Sequence, residues 1–117
     1  MEDNIFLKII RKEVPTKFIY EDDEILAFSD IHPIAPVHIL IIPKKPIESI
    51  AFIEEEDVPL IGKMFLVARG IAKDLNISEK GYKLLIRVGR DGGQEIPHLH
   101  LHLLGGARLA EDIHPIQ

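Results

Sequence analysis

The stretch PHLHLHLLGG, Pro97 to Gly106, decides how this chain folds. Three histidines alternate with three leucines. On a β-strand successive side chains point to opposite faces. A strand over 98–104 therefore sets His98, His100 and His102 on one face and Leu99, Leu101 and Leu103 on the other. Same-face neighbours lie about 7 Å apart, so the three imidazoles can serve one small ligand. The leucine face needs an apolar cover. The histidine face is expected to look toward solvent, a cleft or another subunit.

A long helix supplies the cover. Leu60, Ile61, Met64, Phe65, Val67, Ala68, Ile71, Ala72 and Leu75 recur at helical spacing within 57–75. Pro59 fits only a first turn, the acidic run Glu54–Asp57 suits the positive end of a helix dipole, and Asn76 suits a stop. A shorter helix over 5–13 is expected behind Asn4 as its cap, ended by Val14-Pro15. Strands are expected at 18–21 and 25–29, divided by Asp22-Asp23, then at 37–43, 82–88 and 98–104. Strand neighbours have short connections, and one long connection carries the helix. That order predicts an α+β domain whose antiparallel sheet is covered on one face.

Composition narrows the function. The 117 residues fit one domain, 1–117, with a core over about 4–106 and a tail over 107–117. The net charge is −5, and the basic groups Lys8-Arg11-Lys12 and Lys44-Lys45 are short, which argues against nucleic acid as a partner. There is no cysteine, so disulfides, thiolate zinc sites and thiol nucleophiles are excluded. MEDNIF carries acidic residues where a signal peptide is basic, and no apolar run is long enough to span a bilayer. A soluble, cytoplasmic protein with no membrane partner is expected.

Three readings of the histidines compete. One is a polar strand face with no task, for which histidine has no advantage over Thr or Lys. The second is zinc, because H-x-H on a strand supplies two ligands and a third histidine completes a catalytic set. The third is nucleophilic attack on phosphorus by a neutral imidazole, whose other ring nitrogen holds the proton. Spacing alone leaves zinc and phosphorus level. Asp91-Gly92-Gly93-Gln94 precedes the histidines, and glycine there lets backbone N–H groups approach an anion. That context favours phosphorus, although a glycine pair also suits a plain turn.

His98-Leu99-His100-Leu101-His102-Leu103-Leu104 resembles the signature of the histidine-triad, or HIT, superfamily. DGGQ before it and LLGG after it resemble the branch of nucleotide-binding purine nucleoside phosphoramidases. IFLKIIRKEVP, FIYEDDEILAFSDIHPIAPVHILIIPKK and GYKLLIRVGRDGGQ extend the likeness over nearly the whole chain to Gly106. The resemblance implies a five-stranded antiparallel sheet with one long and one short helix, and a homodimer with one ten-stranded sheet. It implies hydrolysis of nucleoside 5′-phosphoramidates through a covalent nucleotidyl-histidine, with no metal and no cofactor. Dinucleoside polyphosphate hydrolysis, nucleotidyl transfer and a weakly active nucleotide-binding interaction module are the alternatives.

Carried over residue by residue, the resemblance makes His100 the nucleophile and His102 the contact to phosphate and leaving group. His98 and His38 become the supporting pair; His38 alone reads as a structural histidine. Gly93 approaches the α-phosphate and Asp30 holds the ribose hydroxyls. Ile5, Phe6, Ile9, Phe28 and Ile31 line the base slot, although ordinary core is the simpler reading of those five. Two positions depart. Arg87 stands where the family usually has asparagine, and Glu95 where some members have serine or threonine. A carboxylate near phosphate needs a partner, so Arg87 and Glu95 are expected to pair at the rim of the site. The tail, with His114, carries no specificity across.

Overall fold

The computed structural model describes residues 3–116. Met1, Glu2 and Gln117, at the ends of the expected domain, lie outside the described residues. Asn4 caps the first helix as expected: its side-chain oxygen accepts the Leu7 backbone N–H at 3.0 Å, and α1 runs Ile5–Ile10. The helix stops short of Glu13. Lys12 turns left-handed at φ 61°, and the Lys12 and Glu13 N–H groups donate back to the Ile9 and Lys8 carbonyls. That is a Schellman closure made without glycine, and it ends the helix before Val14-Pro15 can.

The hairpin follows the expectation, with β1 at Phe18–Glu21 and β2 at Ile25–Ser29. One Asp22 carboxylate oxygen accepts the backbone N–H groups of Glu24 and Ile25, each at 2.8 Å, which folds the turn. β3 runs Val37–Pro43 and the long helix α2 runs Val58–Asp74, led by short 3₁₀ turns. Asn76 closes α2 with φ 60°, and Ile77 N–H donates to the Ala72 carbonyl. β4 covers only Lys83–Leu85 and β5 only Leu101–Gly105, both shorter than expected.

The five strands make one antiparallel sheet in the order β1-β2-β3-β5-β4. α2 covers one face. There Leu60, Met64, Val67, Ala68, Ile71 and Ala72 pack on Ile25, Ala27, Ile39, Ile41, Leu99, Leu101 and Leu103. Burying a leucine of this kind contributes roughly 1.5–3 kcal/mol. The second face is not bare, contrary to the expectation. Phe6 and Ile9 of α1 pack on Leu26, Phe28, Leu40 and Ile42. Sequence order obscures this, because α1 comes first and the strands it meets lie far along the chain. Among the described residues no helix is long and apolar enough to cross a membrane.

Candidate active site

His98 and His100 lie ahead of β5, so the triad is not one continuous strand. β3 ends at Pro43, which has no N–H to continue a ladder. The Pro43 carbonyl instead accepts the His98 Nε2–H at 2.9 Å, and Leu99 N–H donates to Ile47 O at 2.7 Å. The backbone is still extended enough to alternate. Leu99 joins Leu101 and Leu103 under α2, while the histidines turn the other way.

That second side is sheltered. His98 is 0% exposed and His100 only 8%. Phe6 sets its edge against both, with ring centroids 5.0 Å from His100 and 6.0 Å from His98. The histidine face therefore does not open broadly to solvent; α1 roofs it. Burial is the main cause that holds both pKa values below the ordinary histidine range. His100 is neutral at pH 7 for that reason.

The proton on His100 has one place to be. Nδ1 lies 2.7 Å from the His98 carbonyl, which only accepts, so Nδ1 carries the hydrogen and donates it. Nε2 is left with a free lone pair. It has no protein partner, yet among the described residues the only buried histidine nitrogen without one is His98 Nδ1. A sheltered, neutral imidazole with an available lone pair is a nucleophile at neutral pH.

A second chain of protons runs beside it. The Ile34 backbone N–H donates to His38 Nδ1 at 3.2 Å, so the hydrogen of neutral His38 is on Nε2. His38 Nε2–H then donates to His102 Nδ1 at 2.9 Å, with the Asp30 carboxylate 3.4 Å away. The second ring nitrogen of His102 is Nε2. Arg87 Nη1 lies 3.2 Å from that same nitrogen, and a guanidinium has only donors. The guanidinium is thus hydrogen-bonded to the His102 ring. Burial first, then His100, Arg87 and His38, push the His102 pKa down to about 3, so this ring is neutral as well.

Other expected site residues divide. Asp30 accepts the His32 backbone N–H at 2.9 Å and stands beside His38. Phe6, Ile9 and Phe28 are buried in the cluster under α1, whereas Ile5 is 41% and Ile31 86% exposed. Among the described residues Arg87 forms no ion pair, and Glu95 is exposed. The expected Arg87–Glu95 pair is not made. Arg87 is half-buried and turns inward to His102, with its stem beside the glycine turn. A Cβ on Gly93, at φ 82°, would sit 3.4 Å from Arg87 Cδ. The Gly93 N–H donates within its own turn, to Arg90 O at 3.0 Å.

Two residues of that turn carry more than the sequence reading assigned them. A Cβ on Gly92 would meet the Val88 carbonyl oxygen at 2.5 Å, so only glycine fits. Gln94 ties the turn down: its Oε1 accepts the Gly89 N–H, and its Nε2 donates to the Glu48 and Ile96 carbonyls. The invisible half of that signal is Glu48, remote in sequence. Among the described residues one group, Asp30, His38 and His102, brings possible metal-ligand atoms within 4.8 Å of one another. The Arg87 guanidinium beside it opposes a cation there. The tail from Ala107 onward has no helix or strand; Lys83 Nζ holds it by the Ala110 carbonyl at 2.8 Å.

Fold and site together define a class: a small α+β domain with a cluster of buried, hydrogen-bonded histidines at the end of its sheet. Residues 11–109 match the HIT domain, and the chain belongs to that family. It is 47% identical over 108 residues to the purine nucleoside phosphoramidase of Escherichia coli, covering 92% of this chain and 91% of that protein. It is 50% identical over 109 residues to an uncharacterized HIT-like protein of Buchnera aphidicola, covering 93% and 97%. Among solved structures it is similar to a HIT family hydrolase of Legionella pneumophila, with TM-score 0.91, 43% identity, and coverage of 93% and 97%. A HIT family hydrolase of Clostridium thermocellum gives TM-score 0.92 and 42% identity, with coverage of 97% and 99%. The chain is thus a HIT family protein with the fold of that family's hydrolases.

Proposed function

We propose that the chain hydrolyses purine nucleoside 5′-phosphoramidates through a covalent nucleotidyl-His100. The observation that carries this reading is the His100 Nδ1–H donated to the His98 carbonyl, which leaves Nε2 free to attack. The 47% identity to a purine nucleoside phosphoramidase supports the substrate class. His100 Nε2 forms a bond to the α-phosphorus as the P–N bond breaks. The departing amine needs a proton, and in this reading His102, hydrogen-bonded to His38, delivers it. Water then attacks phosphorus, the histidine–phosphorus bond breaks, and AMP leaves. Each acid–base contribution of this kind is worth about 10²–10⁴ in rate.

Asp30 takes the ribose hydroxyls, Gly93 lies along the α-phosphate, and Ile5, Phe6, Ile9, Phe28 and Ile31 form the slot for the base. Arg87 and Glu95 flank the phosphate. β4 is a sheet edge with unpaired backbone groups, and we place the homodimer's ten-stranded sheet across it. A cytoplasmic location goes with this reading. The test is AMP release from an adenosine 5′-phosphoramidate. Denatured protein quenched during turnover should carry an acid-labile adenylyl group that His100→Ala lacks. Wild-type turnover with no such adduct, and full turnover by His100→Ala, would defeat the nucleophile assignment.

A further inference from the structure

Asp30 is pinned from two sides. Its backbone N–H donates to the His38 carbonyl at 3.0 Å, one residue past the last β2–β3 pair, Ser29 with Ile39. Its Oδ1 accepts the His32 backbone N–H at 2.9 Å, which leaves Oδ2 turned to His38 Nε2 at 3.4 Å. That same His38 nitrogen lies 2.9 Å from His102 Nδ1. Among the described residues no other carboxylate comes within ion-pair distance of a histidine ring in this cluster.

The groups that face the His38–His102 pair differ in sign. Arg87 Nη1 stands 3.2 Å from His102 Nε2 and opposes a positive charge there, and His100 beside it is neutral. Glu95 acts on His100 alone. Asp30 supplies the negative charge. At rest burial outweighs it, and both rings of the pair stay below the ordinary histidine range. Yet an amine leaves phosphorus only with a proton, so a proton has to sit on the pair before the P–N bond breaks. A carboxylate at this range favours a charged imidazole, and more so where water is scarce. This attraction is between net charges and does not depend on the tautomer of the neutral pair.

We propose that Asp30 has a second role beside the ribose: it is the counter-charge with which the His38–His102 pair takes up the proton for the leaving amine. The inference rests on the reading of His100 as the nucleophile of a phosphoramidate hydrolysis. Asp30 is then a positioning residue that acts through the two histidines. In the first step the His100 Nε2–phosphorus bond forms, the P–N bond breaks, and its electron pair stays on nitrogen. The protonated pair gives its proton to that nitrogen and returns to neutral. Water then adds its oxygen to phosphorus as the histidine–phosphorus bond breaks. The proton released from water returns to the pair, and Asp30 again faces a cation.

The experiment compares two substrates that share adenosine: the n-butylamide of AMP, whose amine needs a proton, and the p-nitrophenyl ester of AMP, whose phenolate does not. AMP release gives kcat/KM for each, so the ribose contacts cancel in the amide-to-ester ratio. A carboxylate at this range is worth about one pK unit or more, so the ratio should fall about 10-fold or more in Asp30→Asn. Asp30→Glu, which keeps the charge, should keep most of the ratio. Circular dichroism must first show each variant folded. At saturating AMP, the imidazole ¹⁵N shifts of His38 and His102 should report proton uptake at a pH about one unit lower in Asp30→Asn than in wild type. A ratio that is unchanged, with both rates lowered alike, means that Asp30 serves only the ribose or the fold, and it overturns this inference alone. An unmoved ¹⁵N midpoint does the same even where the variant is inactive. AMP release from neither substrate by wild type, or from both by His100→Ala, overturns the underlying reading and this inference with it.

Discussion

The two faces of the sheet share β5 and its approach, yet they are built to opposite rules. Under α2 the leucines 99, 101 and 103 sit in a mainly aliphatic cluster, and what holds them is area removed from water. Under α1 the alternate residues are histidines, and what holds them is a set of directed hydrogen bonds to Pro43, to the His98 carbonyl and to His38. An apolar face tolerates small shifts, because dispersion has no direction. The histidine face does not, since each ring nitrogen has one assigned role. One segment thus places apolar packing on its odd residues and directed hydrogen bonds on its even ones.

The sharpest way to break this comparison is on the polar side. His100→Ala should lower AMP release by about 10⁴-fold or more while the thermal midpoint changes little. A variant that loses stability and activity in proportion would mean the two faces are not separate in function. On the apolar side, Leu103→Ala should cost about 2–5 kcal/mol in urea unfolding, with kcat per folded molecule largely kept. A cost under about 1 kcal/mol would show that the site collapses around the cavity.

The pH dependence sharpens the polar side further. His38, His98, His100 and His102 all have folded pKa values below the ordinary one, chiefly through burial. The unfolded chain takes up protons near pH 6.5 and the folded chain only lower. Unfolding free energy should be full above about pH 6.5 and fall as pH drops through the folded values. The acid limb of kcat/KM, which needs neutral His100, should likewise have its midpoint below pH 6.5. A midpoint at or above that value would contradict the proposal of His100 as a buried, neutral nucleophile. The smallest effect belongs to the roof. Lys12 pays a left-handed backbone at φ 61°, so Lys12→Gly should stabilise by about 1 kcal/mol in thermal or urea unfolding and leave kcat alone. Destabilisation would show that the Lys12 side chain, which lies 5.7 Å over the Phe18 ring and 3.5 Å from Glu21, outweighs the backbone strain.

Much of the fold was legible in local pattern. The hairpin about Asp22-Asp23, β3 at Val37–Pro43, the cap at Asn4 and the stop at Asn76 each depend on residues within a turn of one another. The misread ends have nonlocal causes. β5 starts at Leu101 because the Pro43 carbonyl is taken by the His98 ring, and nothing near His98 announces that. The second face is covered because α1 folds back over strands far along the chain. Arg87 was expected to meet Glu95, close in sequence, and instead meets His102.

From the sequence alone came the alternation that separates leucines from histidines, the five-strand, two-helix plan and the family likeness. These follow from backbone periodicity and from motifs that are contiguous. Only the tertiary structure decided which nitrogen of His98 and of His100 holds its proton, that the face is roofed, and where the Arg87 cation points. The reason is that a tautomer is set by its partner, and the Pro43 carbonyl that fixes His98 is 55 residues away and meets it only once the sheet has formed.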